Sequence, residues 1–364
     1  MENCYVFVLP TGGERPFGGF KVVYEYANRL ASDGYQVAIK YTFPSRNRKK
    51  GVVYNIAKKV FYFFRYAVLQ DYKPTRWFEL NKKIAQSLLP SCDKGASEKD
   101  FNERNIVFAT GVETSFYIAS LKNISACNKY YFIQSYETWI GVPDDYVMNS
   151  YRLPLNKIVI APYLERKVRE VGGDAVLIPN GFDFDYFELS APIKTRNPYR
   201  IAMLYHTMEA KRCIDSIAAL KLVKAKYPDL IVNMFGFPKR PVDLPEWFHY
   251  YRSPTRTLHN WIYNSSAIFI AASQTEGMAL PPAEAMICGC ALVCTDIPGF
   301  TQYALKDKTA LLSEVYDVNQ LASNVCRLIE DNDLRISIAQ AGNEYVHNFT
   351  WDKAYSKLKT VLDI

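Results

Sequence analysis

The chain has 364 residues, of which 49% are hydrophobic and 22% charged, and its formal net charge is +7. This length favours two domains over one, and this composition is typical of a globular protein with a hydrophobic core. No apolar run approaches the roughly 20 residues that span a bilayer. The chain opens on a strand-like run instead of a secretory signal, so we expect its eight cysteines to be reduced and the protein to be cytoplasmic.

An alternation of short apolar runs with amphipathic stretches extends along the chain. Strands are predicted over 5–9, 36–41, 106–109, 130–133, 158–161 and 175–178, and then over 200–205, 230–235, 267–271, 291–294 and 310–313. The helices predicted between them include 20–32, 213–226, 281–288 and 318–330. Apolar runs without polar alternation are typical of parallel strands covered on both faces. The sequence therefore predicts two doubly wound α/β domains, over 1–190 and 191–349, with the ligand in the groove between them.

The charge of the chain is concentrated in its first half. Residues 1–180 contain 25 Lys and Arg against 17 Asp and Glu, whereas residues 181–364 contain 19 against 20. Within 40–83 the counts are 12 and 2. The halves therefore resemble two modules, of which the first is suited to an anionic partner.

Two predicted strand-to-helix turns carry groups that suit a phosphate. Gly18 and Gly19 precede the first helix, where uncovered N–H groups at the positive helix end favour an anion; a flexible turn is the alternative. Lys211 lies between the strand over 200–205 and the next helix, and adds a cation to a helix N-terminus. A solvated basic helix start explains Lys211 equally well, so neither turn decides the function alone.

The stretch 276–284 reads Glu-Gly-Met-Ala-Leu-Pro-Pro-Ala-Glu. It follows the strand over 267–271, and Pro281 or Pro282 begins a helix, a position that proline favours. Glu276 then lies in the loop and Glu284 in the first turns of the helix, so both carboxylates reach one pocket with the 277–280 amides between them. We expect the two acids to bind ligand hydroxyls. The alternative is that they are ordinary acidic residues of a first helical turn, where the helix dipole favours negative charge.

A metal site is not predicted. Cys288, Cys290 and Cys294 lie close together, but no His or fourth Cys nearby completes a ligand set, and buried free thiols explain them. The carboxylates of Asp183 and Asp185 fall near the predicted linker, where they suit a turn.

These motifs together resemble a known family. The frame Glu276-x7-Glu284, the Gly18-Gly19 pair, Ile-Pro-Asn-Gly-Phe-Asp over 178–183 and Lys211 follow the order found in the retaining, GT-B-fold glycosyltransferases of family 4. The exact frame, with Tyr-Phe-Ile-Gln-Ser-Tyr-Glu-Thr-Trp over 131–139, is similar to the branch of rhamnosyltransferases and other surface-polysaccharide enzymes, such as those of O-antigen lipopolysaccharide and capsule. The resemblance implies a GT-B fold, with two Rossmann-like domains facing across a cleft and the last helix, 350–364, packed back on the first domain.

The resemblance also implies roles for the matching residues. Lys211 would neutralise the diphosphate of a nucleotide-sugar, Glu276 would contact its sugar, and Glu284 would bind its ribose. The family has an Arg at His206, so Arg212 is the alternative second cation. The remaining donor-binding positions are Gly18 and Gly19 from the first domain and the amides of Gly277, Met278, Ala279 and Leu280.

The expected catalytic residues are Glu276, Lys211, Gln134 and Glu137. Gln134 stands where the family has a first-domain His, and Glu137 is its other possible substitute. The implied reaction needs neither metal nor cofactor, because the departing phosphate oxygen helps to deprotonate the acceptor while the protein stabilises the diphosphate. The expected donor is a UDP-, GDP- or dTDP-sugar, and the acceptor is a glycan or lipid-linked. A sugar-nucleotide epimerase of GT-B fold and a non-catalytic subunit of a glycosyltransferase complex remain alternatives.

The basic segment 40–83 contains a run of apolar residues at helical spacing: Val53, Ile56, Val60, Phe63, Phe64 and Ala67. One interpretation is a helix that faces the core and exposes its basic side. The other is a docking surface for an anionic membrane, on the inner face of the cell membrane, where a lipid-linked acceptor would lie. Charge reversal at Arg48, Lys49, Lys58 and Lys59 would then abolish vesicle binding. No motif supports a nucleic acid partner.

Overall fold

Strands and helices alternate in the computed structural model, which describes residues 3–10, 17–42, 51–69, 75, 77–89 and 98–364. The chain divides into two compact units. The first comprises Met1–Pro179 and Tyr355–Ile364, and the second comprises Asn180–Ala354. The turn over 11–16 and the cations Arg48 and Lys49, which were singled out in the sequence, lie outside the described residues.

The described part of the first unit forms a parallel sheet with the strand order β3-β2-β1-β4-β5-β6-β7. Its elements are β1 Cys4–Leu9, α1 Gly18–Ser32, β2 Gln36–Thr42, α2 Val52–Phe63, β3 Ala85–Leu89, β4 Asn105–Ala109, α3 Val112–Ser120, β5 Lys129–Ile133, α4 Asp144–Tyr151, β6 Asn156–Val159, α5 Pro162–Arg169 and β7 Ala175–Leu177. A π-helical turn, Phe64–Val68, continues α2.

The second unit, all of whose residues are described, forms a parallel sheet with the order β10-β9-β8-β11-β12-β13. Its elements are β8 Arg200–Tyr205, α6 Cys213–Lys226, β9 Ile231–Gly236, β10 Phe248–Arg252, α7 Arg256–Asn264, β11 Ile268–Ala271, α8 Leu280–Ile287, β12 Ala291–Thr295, β13 Ala310–Ser313, α9 Val318–Glu330 and α10 Asn332–Val346. The last helix, α11 Trp351–Leu362, begins in this unit, and its residues from Tyr355 onward count with the first.

The burial of the central strands explains why each sheet has helices on both of its faces. All five residues of β4, β5 and β12 are buried, and so are five of the six residues of β1. Such strands need helices on both faces, and the intervening helices supply them. The prediction of two doubly wound α/β units is confirmed.

Residues 180–190 belong with the second unit, so the division lies before the predicted boundary at 190. Asn264 Oδ1 accepts hydrogen bonds from the backbone N–H groups of Ser190 and Ala191, at 2.8 and 3.1 Å. At Gly181 a Cβ would lie 2.3 Å from the backbone nitrogen of Trp351. Glycine is therefore needed at position 181 because the backbone of Trp351 passes close to it, more than because of a turn.

The apolar residues of α2 do not face the core. Val53, Ile56, Val60, Phe63 and Phe64 are all more than half exposed, between 51% and 82%. The interpretation of the apolar run over 53–67 as the core-facing side of a helix is therefore wrong for these side chains. The side chains of Lys59 and Ala67 lie outside the described residues.

Candidate active site

The candidate site in the second unit lies where its strand order reverses. Strand β8 is flanked by β9 and β11, so the loops after β8 and β11 leave the same sheet edge beside one another. Ligands of open α/β sheets bind at this kind of topological switch point. The loop after β8 contains Lys211, and the loop after β11 contains Glu276.

Lys211 and Glu276 form an ion pair between these loops. Lys211 Nζ lies 2.6 Å from Glu276 Oε1 and 2.8 Å from Oε2, so the ammonium binds both carboxylate oxygens. The hydroxyl of Ser273 donates to Glu276 Oε1 at 2.8 Å. The side chains of Lys211 and Glu276 are 22% and 11% exposed, so the pair is more shielded from water than a surface ion pair.

Close backbone packing positions the Glu276 loop. A Cβ at Gly299 would lie 2.4 Å from Glu276 Cβ and 2.5 Å from its carbonyl oxygen, so only glycine fits there. The hydroxyl of Thr295 donates to the carbonyl oxygen of Ser273, which fixes the start of the loop to the end of β12. A small cavity of about 20 Å³ is lined by Lys211, Glu276 and their neighbours, large enough for one water molecule.

The loop between Glu276 and α8 offers backbone donors. Gly277, Met278 and Ala279 are buried, and their N–H groups have no acceptor among the described residues. Helix α8 then begins at Leu280, with prolines in its first turn and no side-chain cap. Unpaired amides at the positive end of a helix favour an anion or a sugar oxygen, so the predicted donor-binding stretch has suitable chemistry.

Glu284 is buried in α8 and accepts a hydrogen bond from the hydroxyl of Tyr263 at 3.4 Å. Tyr303 packs nearby, and its buried hydroxyl donates to the carbonyl oxygen of Ala279 at 2.7 Å. Burial raises the pKa of Tyr303, and the charges of Cys294, Glu276 and Glu284 raise it further. The small cavity beside Lys211 is lined by Glu276 and not by Glu284.

His206 and Arg212, the two candidates for a second cation beside Lys211, both have hydrogen-bond partners within the protein. Nδ1 of His206 accepts a hydrogen bond from the N–H of Met208 at 2.9 Å, so this nitrogen carries no proton. Burial, and then the nearby Lys211, lower the pKa of His206, which favours the neutral ring. Arg212 donates to both carboxylate oxygens of Asp215 at 2.8 Å. Lys211 is therefore the cation that these loops place beside Glu276.

The predicted residues of the first unit lie at its own switch point, where β1 is flanked by β2 and β4. Gly18 and Gly19 begin α1. The side-chain amide of Gln134, just beyond β5, donates to the carbonyl oxygen of Gly19 at 3.1 Å. Its Oε1 is buried and has no partner among the described residues. Gln134 thus brings an unused acceptor to the start of α1.

Glu137 lies at the N-terminus of α3. Both of its carboxylate oxygens are 3.2 Å from the N–H of Val112, and they would lie 3.6 and 3.7 Å from a Cβ at Gly111. Burial raises the pKa of Glu137 to about 7, against the opposing effect of the Val112 hydrogen bond, and the charge of Glu113 adds to the rise. The side chain can therefore hold or release a proton near neutral pH.

Several residues that shape these sites were not predicted. Ser273, Gly299 and Tyr303 support Glu276 and its loop, and Tyr263 contacts Glu284. Of these, only the Pro298-Gly299 dipeptide carries a sequence signal, because such pairs mark turns. Among the described residues no group of three His, Cys, Asp or Glu could hold a metal ion. The thiols of Cys288 and Cys290 donate to Asn260 Oδ1 and to the carbonyl oxygen of Tyr263.

Comparison with known proteins relates the second unit to sugar transfer. Residues 191–345 match the family described as Glycosyl transferases group 1. Phosphatidyl-myo-inositol mannosyltransferase of Mycolicibacterium smegmatis is 23% identical over 57% of this chain and 57% of its own length. D-inositol 3-phosphate glycosyltransferase of Salinispora arenicola is 27% identical over 28% of this chain and 22% of its own. The chain therefore spans about half or less of these curated relatives.

Solved structures match over the whole chain. Anabaena Alr3699/HepE in complex with UDP and glucose is 12% identical, with a TM-score of 0.71 and all of both chains covered. Sucrose-phosphate synthase from Thermosynechococcus elongatus is 15% identical, with a TM-score of 0.69 over 100% of this chain and 98% of its own. The fold is GT-B. The family match and the relatives support a glycosyltransferase of the GT-B type.

Proposed function

We propose that the protein is a retaining, metal-independent glycosyltransferase that moves a sugar from a nucleotide-sugar to a glycan or lipid-linked acceptor. The observation that carries this proposal is the Lys211–Glu276 ion pair at the switch point of the second sheet. A diphosphate needs a cation beside unpaired amides, and this loop pair offers both. The UDP seen in the Anabaena structure and the names of the curated relatives agree with a nucleotide-sugar donor.

In this proposal the donor changes the partner of Lys211. Without donor, Lys211 binds the carboxylate of Glu276. The donor diphosphate would take the ammonium, which frees the carboxylate to accept hydrogen bonds from the sugar hydroxyls. Glu284, beside Tyr263, would hold the ribose diol. The ion pair thus keeps both groups in place before the donor arrives, which limits the reorganisation that binding requires.

The chemistry is then electrostatic. The bond between the anomeric carbon and the phosphate oxygen breaks, the acceptor oxygen bonds to the same carbon on the same face, and the acceptor proton passes to the departing phosphate. Lys211 and the amides of Gly277, Met278 and Ala279 would stabilise the growing charge on the diphosphate. In the first unit, Gln134 Oε1 and Glu137 would accept hydrogen bonds from the acceptor. We place the reaction in the synthesis of surface polysaccharide, in the cytoplasm or at the inner face of the membrane.

The deciding experiment measures donor hydrolysis and sugar transfer by the purified chain with UDP-, GDP- and dTDP-sugars. Lys211→Ala and Glu276→Ala should each lower the rate by about a hundredfold or more, because each removes a group that acts on the diphosphate or the sugar. The matched control is Lys226→Ala, which breaks the exposed Lys226–Glu330 ion pair of the same unit and should leave the rate unchanged.

Two results would contradict the proposal. Absence of turnover with all three donor classes would favour a non-catalytic subunit. Conversion of the nucleotide-sugar into its epimer, without transfer, would favour a sugar-nucleotide epimerase of the same fold.

A further inference from the structure

In the helical segment 52–69, apolar side chains are exposed to solvent and polar side chains are half-buried. Within α2, residues that fall on one half of the helix surface are apolar, because successive residues advance by about 100°. These are Val52, Val53, Ile56, Val60, Phe61 and Phe63, and all of them are exposed. The polar residues Asn55, Lys58 and Tyr62 are the half-buried ones. A helix of a globular protein normally buries the apolar side, so this arrangement is the reverse of the usual one.

The exposed apolar face continues past α2. Phe64, Val68 and Leu69 are each more than half exposed, whereas Arg65 is half-buried. Half of the large exposed hydrophobic side chains in the described residues lie in this one segment. Contiguous apolar surface of this kind marks a contact with another molecule or with a membrane.

The charge around the segment identifies the partner. No Asp or Glu occurs between Asp33 and Asp71, whereas eight Lys and Arg do: Lys40, Arg46, Arg48, Lys49, Lys50, Lys58, Lys59 and Arg65. Of these, Lys40 is engaged within the first unit, where its ammonium donates to the carbonyl oxygen of Asp100. Two copies of so basic a segment would repel each other, whereas an anionic lipid surface would attract it.

We propose that residues 52–69 dock the protein on an anionic membrane by inserting the exposed apolar side chains among the lipids. Phenylalanine and branched aliphatic residues on one side of a helix, with cations and tyrosines on the other, suit the boundary between headgroups and acyl chains. The segment is too short and too polar to span the bilayer, and no described helix is long and apolar enough to do so. This inference goes beyond the proposed function and stands without it.

The test is flotation of the full-length protein with vesicles of phosphatidylcholine alone and of an equimolar mixture with phosphatidylglycerol. A triple variant, Val53→Ser, Val60→Ser and Phe64→Ser, removes apolar side chains that are already exposed, so it should fold normally. We expect at least about a tenfold loss of binding to the anionic vesicles. The matched control changes three exposed apolar residues elsewhere, Val176→Ser, Leu222→Ser and Val242→Ser, and should bind as the unchanged protein does.

The outcomes separate the alternatives. Stronger binding to the anionic vesicles, weakened by added salt and lost in the triple variant alone, supports the proposal. Equal binding by the triple variant and the unchanged protein overturns it, and so does equal binding to both vesicle types. A dimer in solution that the triple variant converts to a monomer would show that a second copy covers this face. Stabilisation by UDP tests the proposed function separately, and the triple variant should retain it.

Discussion

Gly299 determines where Glu276 can lie. Because glycine has no side chain, Glu276 can pack directly against it. A Cβ added at Gly299 would lie 2.4 Å from the Cβ of Glu276 and 2.5 Å from its carbonyl oxygen. Gly299→Ala should therefore displace the loop, break the ion pair with Lys211 and cost about 2 kcal/mol of stability. The measurement is chemical denaturation, together with the thermal stabilisation by UDP, which should be lost.

The control for this substitution is Gly51→Ala. A Cβ at Gly51 meets nothing within 4 Å, so that variant should keep both its stability and its response to UDP. If Gly299→Ala responded to UDP as the unchanged protein does, the position of Glu276 would not matter for donor binding.

Glu137 makes stability depend on pH. Burial raises its pKa from 4.5 to about 7 in the folded protein. The folded state then binds the proton more tightly than the unfolded state, so the stability gained from the protonated acid is complete below pH 4.5 and is lost as the pH rises to about 7. Glu137→Gln keeps an acceptor for the N–H of Val112 but cannot ionise.

Urea denaturation across this range should show the unchanged protein losing up to about 3 kcal/mol relative to Glu137→Gln as the pH rises. The charges near Glu137 include Glu113, and the buried hydroxyls of Tyr131 and Tyr151 are close enough for their pKa values to be raised further by it. Parallel pH profiles for the two proteins would assign the ionisation to another group.

At the residue scale, the sequence shows charged groups better than the groups that position them. Lys211, Glu276 and Glu284 could be singled out because a cation or an acid beside a predicted helix start favours ligand binding. Ser273 and Tyr303 could not, because serine and tyrosine have many roles, and Tyr303 reaches Ala279 across 24 residues of chain. Their importance is visible only once the loops are folded against each other.

An aromatic clamp joins the two loops of the second-unit site. The hydroxyl of Tyr316, in the loop before α9, donates to Gln274 Oε1 at 2.9 Å. The guanidinium carbon of Arg212 lies 4.9 Å from the centre of the same ring. Tyr316 and Arg212 both have left-handed backbones, with φ of 71° and 45°. Gln274 lies two residues before Glu276 and Arg212 directly follows Lys211, so these contacts connect the two loops that contain the ion pair. The left-handed backbone at both residues is typical of functional loops.

The clamp predicts graded effects on donor binding. Tyr316→Phe removes the hydrogen bond to Gln274 and should raise the donor Kd about fivefold. Tyr316→Ala also removes the cation–π contact with Arg212 and should raise it by about tenfold or more. The control is Tyr227→Phe, which removes a hydroxyl that donates to Glu330 at the surface of the same unit. Equal losses in all three variants would indicate general destabilisation.

The strands that the sequence did not reveal are both edge strands. Strand β3 reads Ala-Gln-Ser-Leu-Leu and β10 reads Phe-His-Tyr-Tyr-Arg, and each lies at the end of its sheet. These two edge strands are covered less completely and lack the continuous apolar run that identifies a central strand, whereas the edge strands β7 and β13 have such a run and were predicted. The central strands were predicted correctly for the same reason, since burial on both faces requires such a run. Patterning therefore revealed every central strand of the two sheets but only two of the four edge strands.

The sequence also does not show whether the apolar side of an amphipathic helix faces the core or the solvent. The spacing of Val53, Ile56, Val60 and Phe63 predicts a helix with one apolar side, and α2 is such a helix. Periodicity gives the existence of the stripe but not the direction in which it points. Only the exposed fractions of these side chains show that the stripe faces outward.

At the scale of the whole molecule, one helix contributes to both units. Trp351 and Ala354 count with the second unit, and α11 ends among the residues of the first. There the hydroxyl of Tyr355 donates to Asp33 Oδ2 at 2.8 Å, and the ammonium of Lys359 lies 3.4 Å from the same oxygen. Loss of one such hydrogen bond in Tyr355→Phe should cost about 1 kcal/mol, measured by denaturation of the full chain.

Donor binding should raise the stability of the whole chain through the phosphate groups. A ligand that binds the folded state alone adds about 2.7 kcal/mol at a hundred times its Kd, which raises Tm by several degrees. UDP should stabilise the protein strongly and uridine weakly, because uridine has no charge to offer Lys211. In Lys211→Ala the advantage of UDP over uridine should disappear, while in Lys226→Ala it should persist. Equal shifts with UDP and uridine in the unchanged protein would mean that the phosphates do not meet Lys211 and that the ion pair has another purpose.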